Sequence, residues 1–236
     1  MNDTLARGLS MLNLQGYPQA VEKLMDFCDM LLEKNKVMNL TGAKDETEVV
    51  EKHFLDCAAA FAPLDLSGKR VIDVGCGAGF PGMPLALLYP QGQFTLLDSL
   101  GKRITFLQEC IDALPVSNAV AVHARAEEYA AQHREAYDVV TSRAVANLSM
   151  LSELCLPFVR VGGVFAAMKS TGSDDEIAQA AYAIRVLGGT LETVRDYEIP
   201  LTGVQQRLVL IHKIAPTPAK YPRRFSKISA APLAAR

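Results

Sequence analysis

Residues 73–82 read DVGCGAGFPG, and this stretch decides the fold class. It directly follows a short apolar run, VIDV at 71–74, and it opens a segment with helical spacing at about 81–89. Glycines at a turn between a strand and a helix remove Cβ atoms, so a ligand can lie against the backbone. In an open parallel sheet, ligands bind beyond the carboxyl ends of the strands, where this turn lies. The stretch therefore predicts an α/β protein with a ligand site at the turn.

Apolar runs rich in Val, Ile and Leu alternate with helical segments along most of the remaining chain. The predicted strands are 71–74, 94–98, 119–123, 138–142 and 161–169, and the predicted helices are 81–89, 100–114, 147–158 and 174–187. Strands that are apolar on both faces imply a mostly parallel sheet covered by helices on both sides. Two last strands, at about 191–199 and 205–214, are joined by a short loop, which favours an antiparallel hairpin. The predicted sheet has seven strands.

The first 66 residues have a different sequence pattern, in which apolar residues lie three and four positions apart. This spacing predicts helices, the second of them at about 45–61. We therefore expect an N-terminal helical cap at 1–66, a ligand-binding α/β domain at 67–214 and a basic tail at 215–236.

The composition excludes several classes of protein. Of the 236 residues, 50% are hydrophobic and 21% are charged, as in ordinary globular proteins and unlike disordered chains. The sequence has no long uncharged apolar run and no pattern of a secretion signal, so we expect neither a membrane partner nor export. The five cysteines and four histidines are scattered. We therefore expect a reducing cytoplasm and no metal site. We also expect a monomer.

Positive charge is concentrated near the C-terminus. After Glu198 the chain has no Asp or Glu but seven Lys and Arg, although the net charge of the whole chain is −2. A basic segment on an acidic body indicates contact with a polyanion. Arg223, Arg224 and Lys227 are the candidate RNA-binding residues of this tail, and the alternative is a solvated, frayed tail.

The Gly-rich turn admits two kinds of cofactor. Residues 77–82 contain the pattern G-x-G-x-x-G, so a dinucleotide and an NAD-dependent oxidoreductase must be considered. If the pattern is counted from Gly75, where the strand ends, its sixth position is Phe80, which is too bulky. Asp73 would repel a pyrophosphate but suits an ammonium and a sulfonium group. The string VIDVGCGAG looks like the first motif of class I methyltransferases, which bind S-adenosylmethionine.

The acidic residue at the end of the second strand supports a ligand that contains adenosine. Asp98 ends the second strand, 19 residues after Gly79, at the distance where an acidic side chain reaches ribose hydroxyls. Capping of the following helix is the alternative role for Asp98. The third strand ends in HARAEE at 123–128, where class I methyltransferases usually hold the adenine. Taken alone, this last string indicates a charged start of a helix.

The end of the fourth strand carries Arg143 where the methyl acceptor would lie. No Asn-Pro-Pro-Tyr motif and no Pro-Cys pair occurs in the sequence, which disfavours exocyclic amino groups and pyrimidine C5 as acceptors. Guanine N7 has a free lone pair and no proton, so its methylation needs positioning rather than a general base. An arginine could bind a phosphate or the O6 edge of guanine. A surface ion pair is the alternative role of Arg143.

These motifs together resemble those of the bacterial small-subunit ribosomal RNA guanine-N7 methyltransferases, long called glucose-inhibited division protein B. The strings that carry the resemblance are NLT at 39–41, HFLD at 53–56, DVGCGAGFPGMPLAL at 73–87, LLDSLGKRITFL at 96–107, RAE at 125–127 and SRAVA at 142–146. The resemblance implies a cytoplasmic class I methyltransferase with an N-terminal helical cap. Its implied substrate is a guanine of 16S ribosomal RNA near the decoding site, within a small-subunit particle.

The resemblance also assigns residues to the cofactor. It places cofactor contacts on Gly75, Phe80, Asp98, Ala126, Glu127 and Arg143. With Asp73 and Gly77 added, these residues form the expected cofactor pocket, and Arg143 is expected between cofactor and base as the catalytic and RNA-contacting residue. A non-catalytic RNA-binding or ribosome-assembly protein is a further alternative function.

His53 and Asp56 share a helix face because they are three residues apart. Methylation of N7 leaves them no proton to remove. We therefore expect this pair to tie the helical cap to the sheet domain or to line the cofactor pocket.

Overall fold

The fold contains one seven-stranded sheet. The structure is a computed structural model that describes residues 1–14, 18–114, 116–143 and 146–234. The strands are β1 (Arg70–Val74), β2 (Gln93–Asp98), β3 (Ala119–His123), β4 (Tyr137–Ser142), β5 (Val159–Lys169), β6 (Gly189–Glu198) and β7 (Gln205–Lys213). Their order is β3-β2-β1-β4-β5-β7-β6, and among these strands β7 alone runs in the direction opposite to the other six. The predicted mostly parallel sheet and its terminal hairpin are confirmed.

Helices cover both faces of the sheet. They are α1 (Asn2–Met11), α2 (Pro18–Met38), α3 (Glu46–Val49), α4 (Leu55–Phe61), α5 (Gly82–Leu88), α6 (Gly101–Ala113), α7 (Ala126–Tyr129), α8 (Leu148–Cys155), α9 (Asp174–Val186) and α10 (Phe225–Ala230). A π-helical turn, Val50–Phe54, joins α3 to α4, and a 3₁₀ turn, Leu156–Phe158, follows α8. Helix α10 lies in the tail, where the sequence pattern predicted no helix.

The alternation of side chains along the strands divides the core into two parts. Successive residues of a strand face opposite sides of the sheet. In β7, Leu208 and Leu210 accordingly pack with the N-terminal helices, α5 and α6, whereas Val209 and Ile211 pack with α8, α9 and the tail. This burial on both faces explains the continuous apolar runs in the sequence.

The N-terminal helices share a core with the sheet domain. The ring of Phe27 in α2 lies 5.9 Å from that of Phe80 and 6.2 Å from that of Phe106, both in the α/β part of the chain. Arg195 of β6 donates a hydrogen bond to the carbonyl of Ala60 at the end of α4. The division into cap, domain and tail at residues 66 and 214 stays a prediction.

The strand order reverses between β1 and β4, which places a crevice at the carboxyl ends of these two strands. The Gly-rich turn follows β1, and Arg143 follows β4, so the fold brings them to the same edge. Within the described ranges, no helix is both long and apolar enough to cross a membrane.

Candidate active site

The Gly-rich turn is held against the end of β2 by its backbone. The amides of Gly75 and Cys76 donate to the carbonyl of Leu97 at 2.8 and 3.1 Å, and the amide of Gly77 donates to Oδ2 of Asp98 at 2.9 Å. Gly79 has a φ of +101°, and a Cβ there would lie 2.8 Å from Cδ2 of Leu107. The turn therefore requires a glycine at this position.

Asp73 lies beneath this turn rather than in the wall of a cavity. Its Oδ2 accepts a hydrogen bond of 2.8 Å from the amide of Gly82 at the start of α5, and a Cβ on Gly82 would lie 2.9 Å from the same oxygen. Oδ1 of Asp73 is buried and has no hydrogen-bond partner among the residues described. Burial raises the pKa of this carboxyl group to about 7. Asp73 thus shapes the turn, and burial makes its charged form costly unless a positive charge approaches Oδ1.

A cavity of about 500 Å³ extends along the carboxyl edge of the sheet from β4 to β3. Seven of the eight predicted cofactor residues line it: Gly75, Gly77, Phe80, Asp98, Ala126, Glu127 and Arg143. Its lining also includes residues that the sequence reasoning did not single out for this role, namely Leu40, Thr41, Arg103, Arg125 and Phe225. Leu40 and Thr41 belong to the string NLT, which carried the resemblance without an assigned function. The predicted string SRAVA includes residues 144 and 145, which lie outside the described residues.

Asp98 lines the cavity and is bonded to the residue that precedes α6 rather than to the first amides of that helix. Its Oδ1 accepts from the amide of Leu100 at 2.8 Å, next to the start of α6, and its Oδ2 accepts from Gly77. Arg103 of α6 forms an ion pair with Oδ2 of Asp98 at 3.4 Å. The carboxylate is thus fixed by the turn and by α6 while it lines the cavity.

Arg143 is held at the β4 end of the cavity by residues from three parts of the chain. Its guanidinium carbon lies 4.8 Å from the centre of the Phe80 ring, and its Nη1 lies 3.4 Å from Oδ2 of Asp56. The hydroxyl of Tyr197 in β6 donates to Oδ1 of Asp56 at 2.7 Å. Burial raises the pKa of Asp56, and the bonds from Tyr197 and Arg143 oppose this shift. Arg143 is therefore oriented by a buried carboxylate rather than by an exposed surface pair.

His53 connects the helical cap to the Gly-rich turn. Its ring lies 4.6 Å from the Phe80 ring, and its Nε2 is 2.9 Å from the hydroxyl oxygen of Thr41. Burial, with the nearby charge of Arg143 as a smaller cause, lowers the pKa of His53 to about 4. The ring is therefore neutral at neutral pH and packs behind the cavity rather than lining it.

The β3 end of the cavity is closed by α7 and by the tail. Oε1 of Glu127 accepts from Nε of Arg125 at 2.6 Å and from the amide of Phe225 at 3.2 Å. The guanidinium carbon of Arg125 lies 4.6 Å from the centre of the Phe225 ring. No local pattern in the sequence marked Phe225, because its partners are about a hundred residues away.

The tail is folded onto the domain through a buried ion pair. Glu153 of α8 is fully buried, and its two carboxylate oxygens accept bonds of 2.8 and 2.6 Å from Nε and Nη2 of Arg223. The amide of Arg223 also donates to Oε1 of Glu153 at 2.9 Å. The side chains of Arg224 and Lys227 are exposed. Of the three tail cations expected to bind RNA, Arg223 is thus already engaged within the protein.

The residues of the cavity fit S-adenosylmethionine. The glycines leave the backbone open to a ligand, Asp98 lies where a ribose would be bound, and the unpartnered Oδ1 of Asp73 can balance the positive charge of an ammonium or sulfonium group. The side chain of Phe80 occupies a position in the turn where a dinucleotide would require a small residue.

This fold and this cavity define a class I methyltransferase. The same fold occurs in a crystal structure of TYW2 from M. jannaschii in complex with AdoMet, with a TM-score of 0.57 and 15% sequence identity over 73% of this chain and 80% of that one. It also occurs in TrmN from Thermus thermophilus, with a TM-score of 0.53 and 21% identity over 70% of this chain and 53% of that one.

The chain belongs to the GidB family, described as rRNA small subunit methyltransferase G, whose sequence model matches residues 20–208. It is 42% identical to "Ribosomal RNA small subunit methyltransferase G" of Clostridium beijerinckii over 98% of both chains. It is 43% identical to the protein of the same name from Staphylococcus carnosus over 90% of both chains. Membership of this family supports a methyltransferase over both an oxidoreductase and a non-catalytic RNA-binding protein.

Proposed function

We propose that this protein transfers the methyl group of S-adenosylmethionine to N7 of a guanine in 16S ribosomal RNA, near the decoding site. The names of its relatives, which specify small-subunit ribosomal RNA, support this substrate. The protein acts on RNA within a small-subunit particle, as a cytoplasmic monomer that requires no metal ion. Its five cysteines are buried and free, which suits a reducing compartment.

The observation that carries the choice of N7 is the chemistry of the β4 end of the cavity. The described residues of this end that lie between β4 and the end of α8 are Arg143, Ala146, Leu151 and Leu154. Arginine stays protonated in proteins and cannot act as a general base, and the other three side chains are apolar. Thr41, which also lines this end, offers only a neutral hydroxyl next to Nε2 of His53. This lining suits an acceptor atom that has a lone pair and no proton, as guanine N7 does.

The protein's own residues would then position the reactants. Bound S-adenosylmethionine supplies an electrophilic methyl group on a sulfonium. Arg143, fixed by Asp56 and Phe80, binds the O6 edge or a phosphate of the target nucleotide and so orients N7 toward the cavity. Asp56 also balances the charge of Arg143, which keeps a second uncompensated cation away from the sulfonium. Arg143 is accordingly the catalytic residue of this proposal.

Exposed cations of the tail would add affinity for the RNA backbone. Arg224 and Lys227 are the tail residues that we assign to this contact, since their exposed side chains are accessible to phosphates. Arg223 is assigned to folding of the tail, because Glu153 binds its guanidinium.

The test is methyl transfer from labelled S-adenosylmethionine to small subunits from a strain that lacks the gene, followed by identification of the labelled nucleoside by mass. Label in 7-methylguanosine at one site of 16S RNA is the expected result, and label in another nucleoside would refute the N7 assignment. Arg143→Lys keeps the charge but loses the planar fork, so we expect strongly reduced transfer. Arg160→Ala, which removes a surface arginine paired with Asp138, is the matched control and should retain activity.

A further inference from the structure

The C-terminal segment is firmly docked near the cofactor cavity. Besides the pair between Arg223 and Glu153, the guanidinium of Arg134 donates to the carbonyls of Tyr221 and Pro218 at 2.8 and 3.0 Å. Ile228 of α10 is fully buried in the core on that face of the sheet. The position of residues 217–228 is therefore set by several contacts with the α/β domain.

This docking brings one aromatic ring to the edge of the cavity. Phe225 lines the cavity together with Arg125, Ala126 and Glu127, and 37% of its surface remains exposed. Its position is fixed from both sides, by the bond of its amide to Glu127 and by the guanidinium of Arg125 against its ring. An exposed flat ring beside a flat guanidinium is a surface suited to a planar heterocycle.

The order of the strands indicates which part of the cofactor reaches this surface. The cavity runs from Arg143 after β4, past the glycines after β1 and Asp98 after β2, to α7 after β3. When the reactive methyl group lies at the Arg143 end and the ribose lies at Asp98, the adenine extends to the β3 end.

We propose that Phe225 and Arg125 form the outer wall of the adenine subsite, so the C-terminal segment is part of the cofactor site. This inference rests on the proposed cofactor and goes beyond it, because it assigns a cofactor-binding role to a residue outside the α/β domain. Cofactor binding and docking of the tail then stabilise each other.

The absence of tryptophan from the sequence permits a specific test. Phe225→Trp places a single tryptophan in the proposed wall, and titration with S-adenosylhomocysteine should change its fluorescence with a midpoint that equals the calorimetric Kd. Homocysteine, which lacks adenine, should cause no change. Val161→Trp is the matched control, because Val161 is exposed near the start of β5, at the sheet edge opposite the cavity. Its fluorescence should not respond, although its Kd should equal that of the unmodified protein.

A second variant measures the contribution of the ring to affinity. Phe225→Ala should weaken binding of S-adenosylhomocysteine by about 5- to 150-fold, the range that loss of a stacked aromatic ring produces. In the unmodified protein, the ligand should slow cleavage by trypsin after Arg224, since an occupied site holds the tail in place. Two results together would overturn this inference and leave the cofactor assignment intact. The fluorescence of Phe225→Trp would stay unchanged at saturation, and the Kd of Phe225→Ala would stay within about twofold of that of the unmodified protein. Failure of the unmodified protein to bind the ligand would overturn both.

Discussion

Loss of the Arg223 side chain should destabilise the protein strongly. In Arg223→Ala, the fully buried carboxylate of Glu153 loses two charged hydrogen bonds and, among the described residues, keeps only the bond from the backbone amide. Removal of one partner from a buried ion pair destabilises a protein by about 3–5 kcal/mol, because the other charge stays uncompensated. For a chain of this length, that loss corresponds to a decrease in Tm of about 6–20 °C.

Urea unfolding followed by circular dichroism measures this change, and Arg224→Ala is the neighbouring control. Arg224 is exposed, so its replacement should alter the free energy of unfolding by no more than about 0.5 kcal/mol. Glu153→Gln in the Arg223→Ala background should recover part of the loss, since a neutral amide is less costly to bury than a carboxylate.

Detachment of the tail is the alternative response to Arg223→Ala, because water could then reach Glu153. The global loss would be smaller in that case, and trypsin would cleave after Lys227 faster than in the unmodified protein. A decrease in the free energy of unfolding below about 1 kcal/mol together with an unchanged rate of cleavage would refute the reasoning. The buried carboxylate of Glu153 would then have lost its partner without destabilising the protein and without detaching the tail.

Three further predictions concern the cavity and the RNA contact. Burial raises the pKa of Asp73 to about 7, so Asp73 must lose its proton to the solvent before its carboxylate can balance a cationic ligand. Affinity for S-adenosylmethionine should therefore fall about tenfold from pH 8 to pH 6 through this group. Calorimetry in two buffers should detect the released proton, and Asp73→Asn should abolish this component of the pH dependence. Tyr197→Phe removes a 2.7 Å bond to the buried Asp56 and should reduce the free energy of unfolding by about 1.5–3 kcal/mol in urea, whereas no change would exclude a stabilising bond. Arg224→Ala combined with Lys227→Ala should lower the slope of log affinity for small subunits against log salt by about 1.4–1.8, and an unchanged slope would exclude phosphate contacts by both residues.

The sequence predicted the features of the fold that depend on residues close to one another in the chain. Apolar runs of strand length and glycines at 75–82 were sufficient for the sheet, its strands and the position of the cavity, because these follow from the spacing of residues close in sequence. The family resemblance supplied most of the predicted cofactor residues, and seven of the eight line the cavity. Of the eight predicted cofactor residues, Asp73 alone is absent from the cavity lining, because its bond to Gly82 places it beneath the turn.

The contacts that orient the site could not be predicted in this way. Asp56 and Tyr197 are 141 positions apart, and Glu153 and Arg223 are 70 apart, so no periodicity relates them. Nothing in the local sequence distinguishes Arg223, which folds the tail, from the adjacent Arg224, which is exposed. Only the packing of α8 under the tail makes that distinction.

Residues of the N-terminal helices and of the tail complete the two ends of the cavity. The sequence distinguishes these two segments from the predicted α/β domain but does not show their contacts with it. At the β4 end, Thr41 contributes to the lining and Asp56 orients Arg143, and both belong to the N-terminal helical part. At the β3 end, Phe225 of the tail contributes to the lining. A sheet domain without these segments would keep the glycines and Asp98. It would lose the side chains that fix Arg143 and line the β3 end of the cavity. We therefore propose that the specificity of this methyltransferase depends on the contacts of the N-terminal helices and the tail with the sheet domain.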